Sequence, residues 1–88
     1  MKKLTNDLKK FIAKHDLADT RLFEDMAEFA EYSEYGHKGI CGMTFEGELY
    51  EALNYTFGRL HDELDAICSK HGVWYELGNA WNCAFYKI

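Results

Sequence analysis

Leu4, Leu8, Phe11, Ile12 and His15 recur at the three-and-four spacing of an amphipathic helix, with lysines on the opposite side. The pattern predicts a first helix over roughly 2–15. A second apolar face follows between Asp19 and Ser33, made by Leu22, Phe23, Met26, Ala27, Phe29, Ala30 and Ser33. It predicts a second helix whose outer side carries Glu24, Glu28 and Glu31, with Asp25 beside them. Three glycines between Tyr35 and Met43 then break the periodicity. This stretch reads as a loop leading into a short strand around Ile40–Phe45.

The longest periodic run comes next. Leu49, Leu53, Phe57, Leu60, Leu64, Ile67, Cys68 and His71 hold one face, Thr44 is a plausible N-cap, and Lys70, His71 and Gly72 make a natural C-terminus. Read as one helix, it is a spine about 40 Å long at 1.5 Å per residue, with Gly58 as an interior weak point marking a kink or a close contact. The last segment reads as a hairpin, Val73–Leu77 and Ala80–Ile88 around a Gly78-Asn79 turn. That turn pairs Leu77 with Ala80 and Trp74 with Cys83. Trp74, Trp81, Cys83 and Phe85 then share one face, and Val73, Tyr75, Leu77, Ala84, Tyr86 and Ile88 share the other. A lone hairpin is marginal in water, so one face must pack on the third helix and the other needs its own cover. The expected fold is therefore α+β: three helices, the third long, packed on a C-terminal antiparallel hairpin, with room for a third short strand.

Length limits this to one domain spanning 1–88. A small chain buries a modest share of its surface; six Phe, six Tyr and two Trp supply the large buried areas that offset this. Three widely spaced cysteines form no disulfide framework and suit a reducing, cytoplasmic setting. No apolar segment follows the N-terminal lysines as a secretory signal would require, and no run is long enough to span a bilayer.

Charge changes the functional picture. Residues 1–15 carry five lysines and one acid, whereas residues 16–88 carry 14 acids and five bases, a net −9. A basic first helix precedes an acidic body. The body has the wrong sign for binding nucleic acid directly. Its acidity serves either to complement the first helix or to meet a basic partner.

Candidate chemistry is sparse. His37, Cys41, Cys68 and His71 would make a Cys2His2 set of the kind zinc accepts, with Cys68 and His71 one helical turn apart; the spacing matches no known zinc module, and Cys68 continues an apolar face. Cys41 between glycines, with His37 near, raises a cysteine nucleophile, but no third orienting group or family signature accompanies it. The carboxylate clusters lie on predicted outer helix faces, where solvation explains them. Gly36-x-x-Gly39-x-x-Gly42 follows a helix rather than a strand, the wrong context for a dinucleotide or phosphate loop. No cofactor is implied.

The expected function is a small acidic protein-binding module, an inhibitor or regulator rather than an enzyme. Two surfaces would carry it: the acidic stripe Glu24, Asp25, Glu28 and Glu31, and the hairpin aromatics Trp74, Tyr75, Trp81 and Tyr86. The partner would be a protein, in one version a nucleic-acid-binding protein with a basic groove, with a homodimer through the hairpin as a further outcome; neither nucleic acid itself nor a membrane is expected as partner. In size, acidity and aromatic content the chain looks like the small proteins that phages and mobile elements use against host enzymes, anti-CRISPR proteins among them. That likeness is one of type and carries no residues over. The alternatives are a zinc-stabilised or small-ligand-binding domain using His37, Cys41, Cys68 and His71, and a cysteine enzyme centred on Cys41.

Overall fold

The computed structural model describes residues 2–33, 38–56 and 58–88. The chain is α+β. Its elements are α1 (Lys2–Lys14), β1 (Arg21–Phe23), α2 (Met26–Phe29), β2 (Cys41–Thr44), α3 (Gly47–Tyr55), α4 (Arg59–His71), β3 (Val73–Asn79) and β4 (Asn82–Lys87). The strands form one antiparallel sheet in the order β1-β2-β4-β3.

One face of the sheet meets the three longer helices. Cys41 and Met43 of β2, Cys83 and Phe85 of β4 and Val73 of β3 are buried there beneath Leu4, Leu8 and Phe11 of α1, Leu49 and Leu53 of α3 and Leu64 and Cys68 of α4. Burying a Leu or Phe side chain this fully contributes about 1.5–3 kcal/mol. Helix α1 has the predicted boundaries to within a residue; Leu4, Leu8 and Phe11 of the predicted stripe are buried, Ile12 and His15 are partly buried, and Thr5 is buried beside them. The short strand expected near Ile40–Phe45 is β2.

Three expectations need correction. No single helix covers 19–33. Residues 21–23 are a strand, with Arg21 opposite Thr44, Leu22 opposite Met43 and Phe23 opposite Gly42, and α2 is four residues long. The adjacent pair Leu22-Phe23 looks like part of a wide helical face. In the sheet the two point to opposite sides, Leu22 towards the main core and Phe23 towards α2. Asp25 is the N-cap of α2, its carboxylate accepting from the Ala27 N–H at 2.9 Å.

The long third helix is two helices. Helix α3 ends at Thr56, which has left-handed φ +50°, and α4 begins after Gly58 at φ +94°. Gly58 is the break that glycine there allows. Apolar periodicity ran through it because both halves present their apolar sides to the same core. Thr44 ends β2 rather than capping a helix; the N-cap is Glu46, without a side-chain cap bond. Phe57 lies outside the described residues. The predicted C-terminus holds, with the Gly72 N–H bonding the Cys68 and Ser69 carbonyls.

The hairpin forms with a different register. The two-residue turn is Ala80-Trp81, closed by Asn79 opposite Asn82, and the Asn79 side chain accepts from the Trp81 N–H at 3.0 Å. An irregularity between Leu77 and Asn79 takes up Gly78. Leu77 therefore faces Cys83, Tyr75 faces Phe85 and Trp74 faces Tyr86. The odd shift relative to a Gly78-Asn79 turn exchanges partners between faces. It gathers Val73, Tyr75, Leu77, Cys83 and Phe85 under the helices and leaves Trp74, Glu76, Ala84 and Tyr86 on the other side.

That other side is half covered. Phe29 of α2 lies over the β1–β2–β4 part, with Phe23 and Ala84 buried beside it and the Phe23 and Phe29 rings edge-to-face at 5.7 Å. A Cβ on Gly42 would sit 2.6 Å from two carbons of the Phe29 ring. Glycine in this strand is the space that Phe29 fills. Gly42→Ala is expected to cost about 1–3 kcal/mol through overpacking, a melting temperature several degrees lower. Thermal denaturation followed by circular dichroism measures it; an unchanged midpoint would show that the α2 lid is not seated as described.

Candidate functional site

Helices α1 and α4 run antiparallel and are fastened by two reciprocal clamps. Asp7 of α1 receives Lys70 Nζ at 3.0 Å and His71 Nε2 at 2.8 Å. Glu63 of α4 receives Lys14 Nζ at 3.3 Å and His15 Nε2 at 2.7 Å. Each carboxylate thus takes a Lys-His dipeptide from the end of the opposite helix, where positive charge also suits the helix dipole. The basic first helix is in this way matched internally to the acidic body. Between the clamps lies a groove of about 530 Å³ with Phe11, Ala66 and Ile67 in its lining and Lys10, Lys14 and Lys70 among its charges. Its two carboxylates, Asp7 and Glu63, are the ones held by the clamps.

The hydrogen bonds from His71 and Lys70 hold the Asp7 carboxyl below its usual value, and those from His15 and Lys14 do the same for Glu63. A carboxylate whose pKa is depressed by folding stabilises the protein above its unfolded pKa, and that stability is lost as pH falls through the folded value. Native stability is therefore expected to fall as the solution is acidified below the ordinary carboxylate range, with a smaller acid-induced fall in Asp7→Asn. Equal acid sensitivity in urea titrations of the two proteins would contradict the clamp.

The acidic stripe does not assemble as one helical face. Glu24 is paired with Lys9 at 3.2 Å, and the Thr5 hydroxyl and Lys9 hold its carboxyl below the usual range. Asp25 is a helix cap. Glu28 binds the Arg21 guanidinium, which lies 4.4 Å over the Phe23 ring. Of the four, Glu31 alone has no such partner among the described residues. The hairpin aromatics are also divided. Trp74 and Tyr86 stack at 4.8 Å on the half-covered face, Tyr75 packs against the main core, and Trp81 stands in the turn.

The zinc and cysteine readings fare as follows. His37 lies outside the described residues. Cys41, Cys68 and Cys83 are free and buried. Burial pushes the Cys41 thiol up to about 12 and the Cys68 thiol to about 11, and raises Cys83 well above the ordinary value. A nucleophile or metal ligand must be a thiolate, and these environments oppose one. His71 is turned to Asp7. Among the described residues no group of three or more His, Cys, Asp or Glu side chains is arranged to hold a metal. The native thiols are expected to resist Ellman's reagent at neutral pH, all three reacting after denaturation; rapid labelling of the folded protein would mean that one is accessible.

A different surface emerges on α3. Its buried side is Leu49, Ala52 and Leu53. Helical spacing places Tyr50 and Asn54 on one exposed stripe and Glu48, Glu51 and Tyr55 on the next. The Asn54 amide donates to the Tyr50 carbonyl at 2.8 Å and to the Ala80 carbonyl at 2.6 Å, and the Phe45 N–H donates to the Trp81 carbonyl at 2.9 Å. These bonds fasten the hairpin turn beside α3. Tyr50 (37% exposed), Tyr55 (68%) and Trp81 (42%) thus lie at one end of the molecule. Glu46, Glu48 and Glu51 share that end, and no Lys, Arg or His occurs between residues 45 and 58. Among the described residues none of these three carboxylates forms an ion pair. The sequence held a signal, a base-free segment with two tyrosines, which a single long helix did not set apart.

No protein-family model, curated protein or solved structure matches the chain. Function has to be read from these surfaces. No helix among the described residues is long and apolar enough to cross a membrane.

Proposed function

We propose that this chain is a small protein-binding module that acts by occupying a basic surface on another protein. The observation that carries the reading is the end formed by α3 and the hairpin turn, where exposed Tyr50, Tyr55 and Trp81 accompany the carboxylates Glu46, Glu48 and Glu51, which form no ion pair among the described residues. Tyr and Trp are the side chains that most often anchor protein interfaces. The carboxylates add long-range attraction to a positive partner and speed encounter. A groove that binds nucleic-acid phosphates has the matching charge.

The module works without chemistry of its own in this reading, as an inhibitor or regulator of its partner. Its free, buried thiols suit a reducing cytoplasm. The narrower version, a phage-type protein directed against a host defence enzyme, rests on size, acidity and aromatic content.

The test is capture of a partner from bacterial lysate on the tagged chain, with the wild type compared against two charge-reversed proteins. Glu48→Lys with Glu51→Lys is expected to abolish capture while moving the melting temperature by no more than a few degrees, and Tyr55→Ala to weaken it about tenfold or more. Glu24→Lys with Glu28→Lys is expected to leave it intact, because those carboxylates are already matched to Lys9 and Arg21. High salt should release the partner. Capture that survives reversal at α3 would overturn the proposed surface, and loss only on reversal of Glu24 and Glu28 would restore the earlier acidic stripe.

A further inference from the structure

The seam between α1 and α4 changes character along its length. A clamp closes it at each end, Asp7 with Lys70 and His71 at one and Glu63 with Lys14 and His15 at the other. Between the clamps the floor is apolar. Ala66 is exposed there and Ile67 half-buried, so both are open to a ligand. Phe11 beside them is only 3% exposed and offers no ring face for stacking. The open part of the floor is therefore aliphatic.

At the Asp7 end this groove runs into a smaller depression. The two share Asp7, Lys10 and Lys70, and the smaller one adds Lys3, Asn6 and His71. Lys3 and Lys10 stand two turns apart on one face of α1. Lys70 is held by Asp7, whereas Lys3 and Lys10 form no ion pair among the described residues. Four lysines and two carboxylates line the joined depressions, a local net +2 with His71 neutral. The chain as a whole carries −5. A cationic end thus opens onto an aliphatic trough.

We propose that the α1–α4 groove binds a medium-chain aliphatic carboxylic acid, its carboxylate between Lys3 and Lys10 and its chain along Ala66 and Ile67. Charged hydrogen bonds from two ammonium groups suit a carboxylate, and the lysine stems add apolar cover beside the chain. Size agrees. The groove holds about 530 Å³, within the roughly 300–1,000 Å³ of small-molecule sites. Asp7 and Lys14 lie about 10 Å apart along α1 at 1.5 Å per residue. An extended chain covers roughly 1.2 Å per bond, so about eight carbons reach from one clamp to the other. A polyanion fits less well, because the clamp carboxylates Asp7 and Glu63 repel added negative charge. The site is separate from the acidic end at α3 and does not depend on it.

Titration of the isotope-labelled chain with sodium octanoate, followed by amide NMR shifts, tests the proposal. Saturable one-to-one binding is expected, with the shifts centred on residues 6–14 and 63–71. Octanol, which has the chain without the charge, and acetate, which has the charge without the chain, should each bind at least about tenfold more weakly. Lys3→Glu with Lys10→Glu should weaken octanoate binding at least about tenfold. Lys38→Glu with Lys87→Glu makes the same change of net charge away from the groove and should alter it less than about twofold. Unchanged spectra elsewhere show that both variants are folded. Shifts spread over the whole surface, octanol binding as tightly as octanoate, or equal loss in the two double variants would each overturn the proposal.

Discussion

Strand β4 is paired along both sides, with β2 on one and β3 on the other, and its register decides what every other element can cover. Cys83 and Phe85 point into the main core, fully excluded from solvent, and Ala84 points to Phe29 on the opposite side. A slip by one residue would exchange these faces and put an asparagine or a tyrosine under the helices. Asn82 helps to fix the position. It is itself buried, its Nδ2 donates to the Tyr32 carbonyl at 3.4 Å and its Oδ1 accepts from the Ser33 hydroxyl at 3.4 Å. The segment after α2 is thereby anchored to the middle of the sheet, and Phe29 is held where only glycine fits beneath it.

How far the sequence reveals this depends on whether a local pattern has one reading or two. Helix α1 was legible because a lysine-rich side and a narrow leucine–phenylalanine stripe fit nothing but an amphipathic helix. The region 19–33 was not, because Leu22 and Phe23 serve equally as neighbours on a helix or as opposite faces of a strand covered on both sides. The partner that selects the strand, β2, lies some twenty residues away. The hairpin was legible as a hairpin, while its turn was not: Gly78-Asn79 has favourable turn chemistry, yet burying Tyr75, Leu77, Cys83 and Phe85 together outweighs it. The candidate surfaces inherited these errors. An acidic stripe on one helix became a salt-bridged residue, a cap, an arginine partner and one carboxylate without an ion pair among the described residues.

Charge in this chain has two distinct uses. In and around α1 it is spent on internal matching, through Lys9 with Glu24 and through the two Lys-His clamps on Asp7 and Glu63. Exposed pairs of this kind contribute little individually, and their effect is to orient α1 against α4 over a shared apolar seam. At α3 the carboxylates have no ion-pair partner among the described residues and stand beside exposed rings. The contrast between neutralised and unneutralised acids, more than the net charge, separates scaffold from candidate interface.

The unequal edges of the sheet also bear on how large an assembly of this chain can grow. A sheet open at both edges is a monomer unit for a fibre, since each added copy exposes a fresh edge. Here Arg21, folded down over Phe23 and tied to Glu28, closes one end of the row. Whatever pairs with β3 finds no second template on the far side. The blunted strand is therefore a chain terminator, and it closes the sheet on its own side whatever lies along the opposite edge.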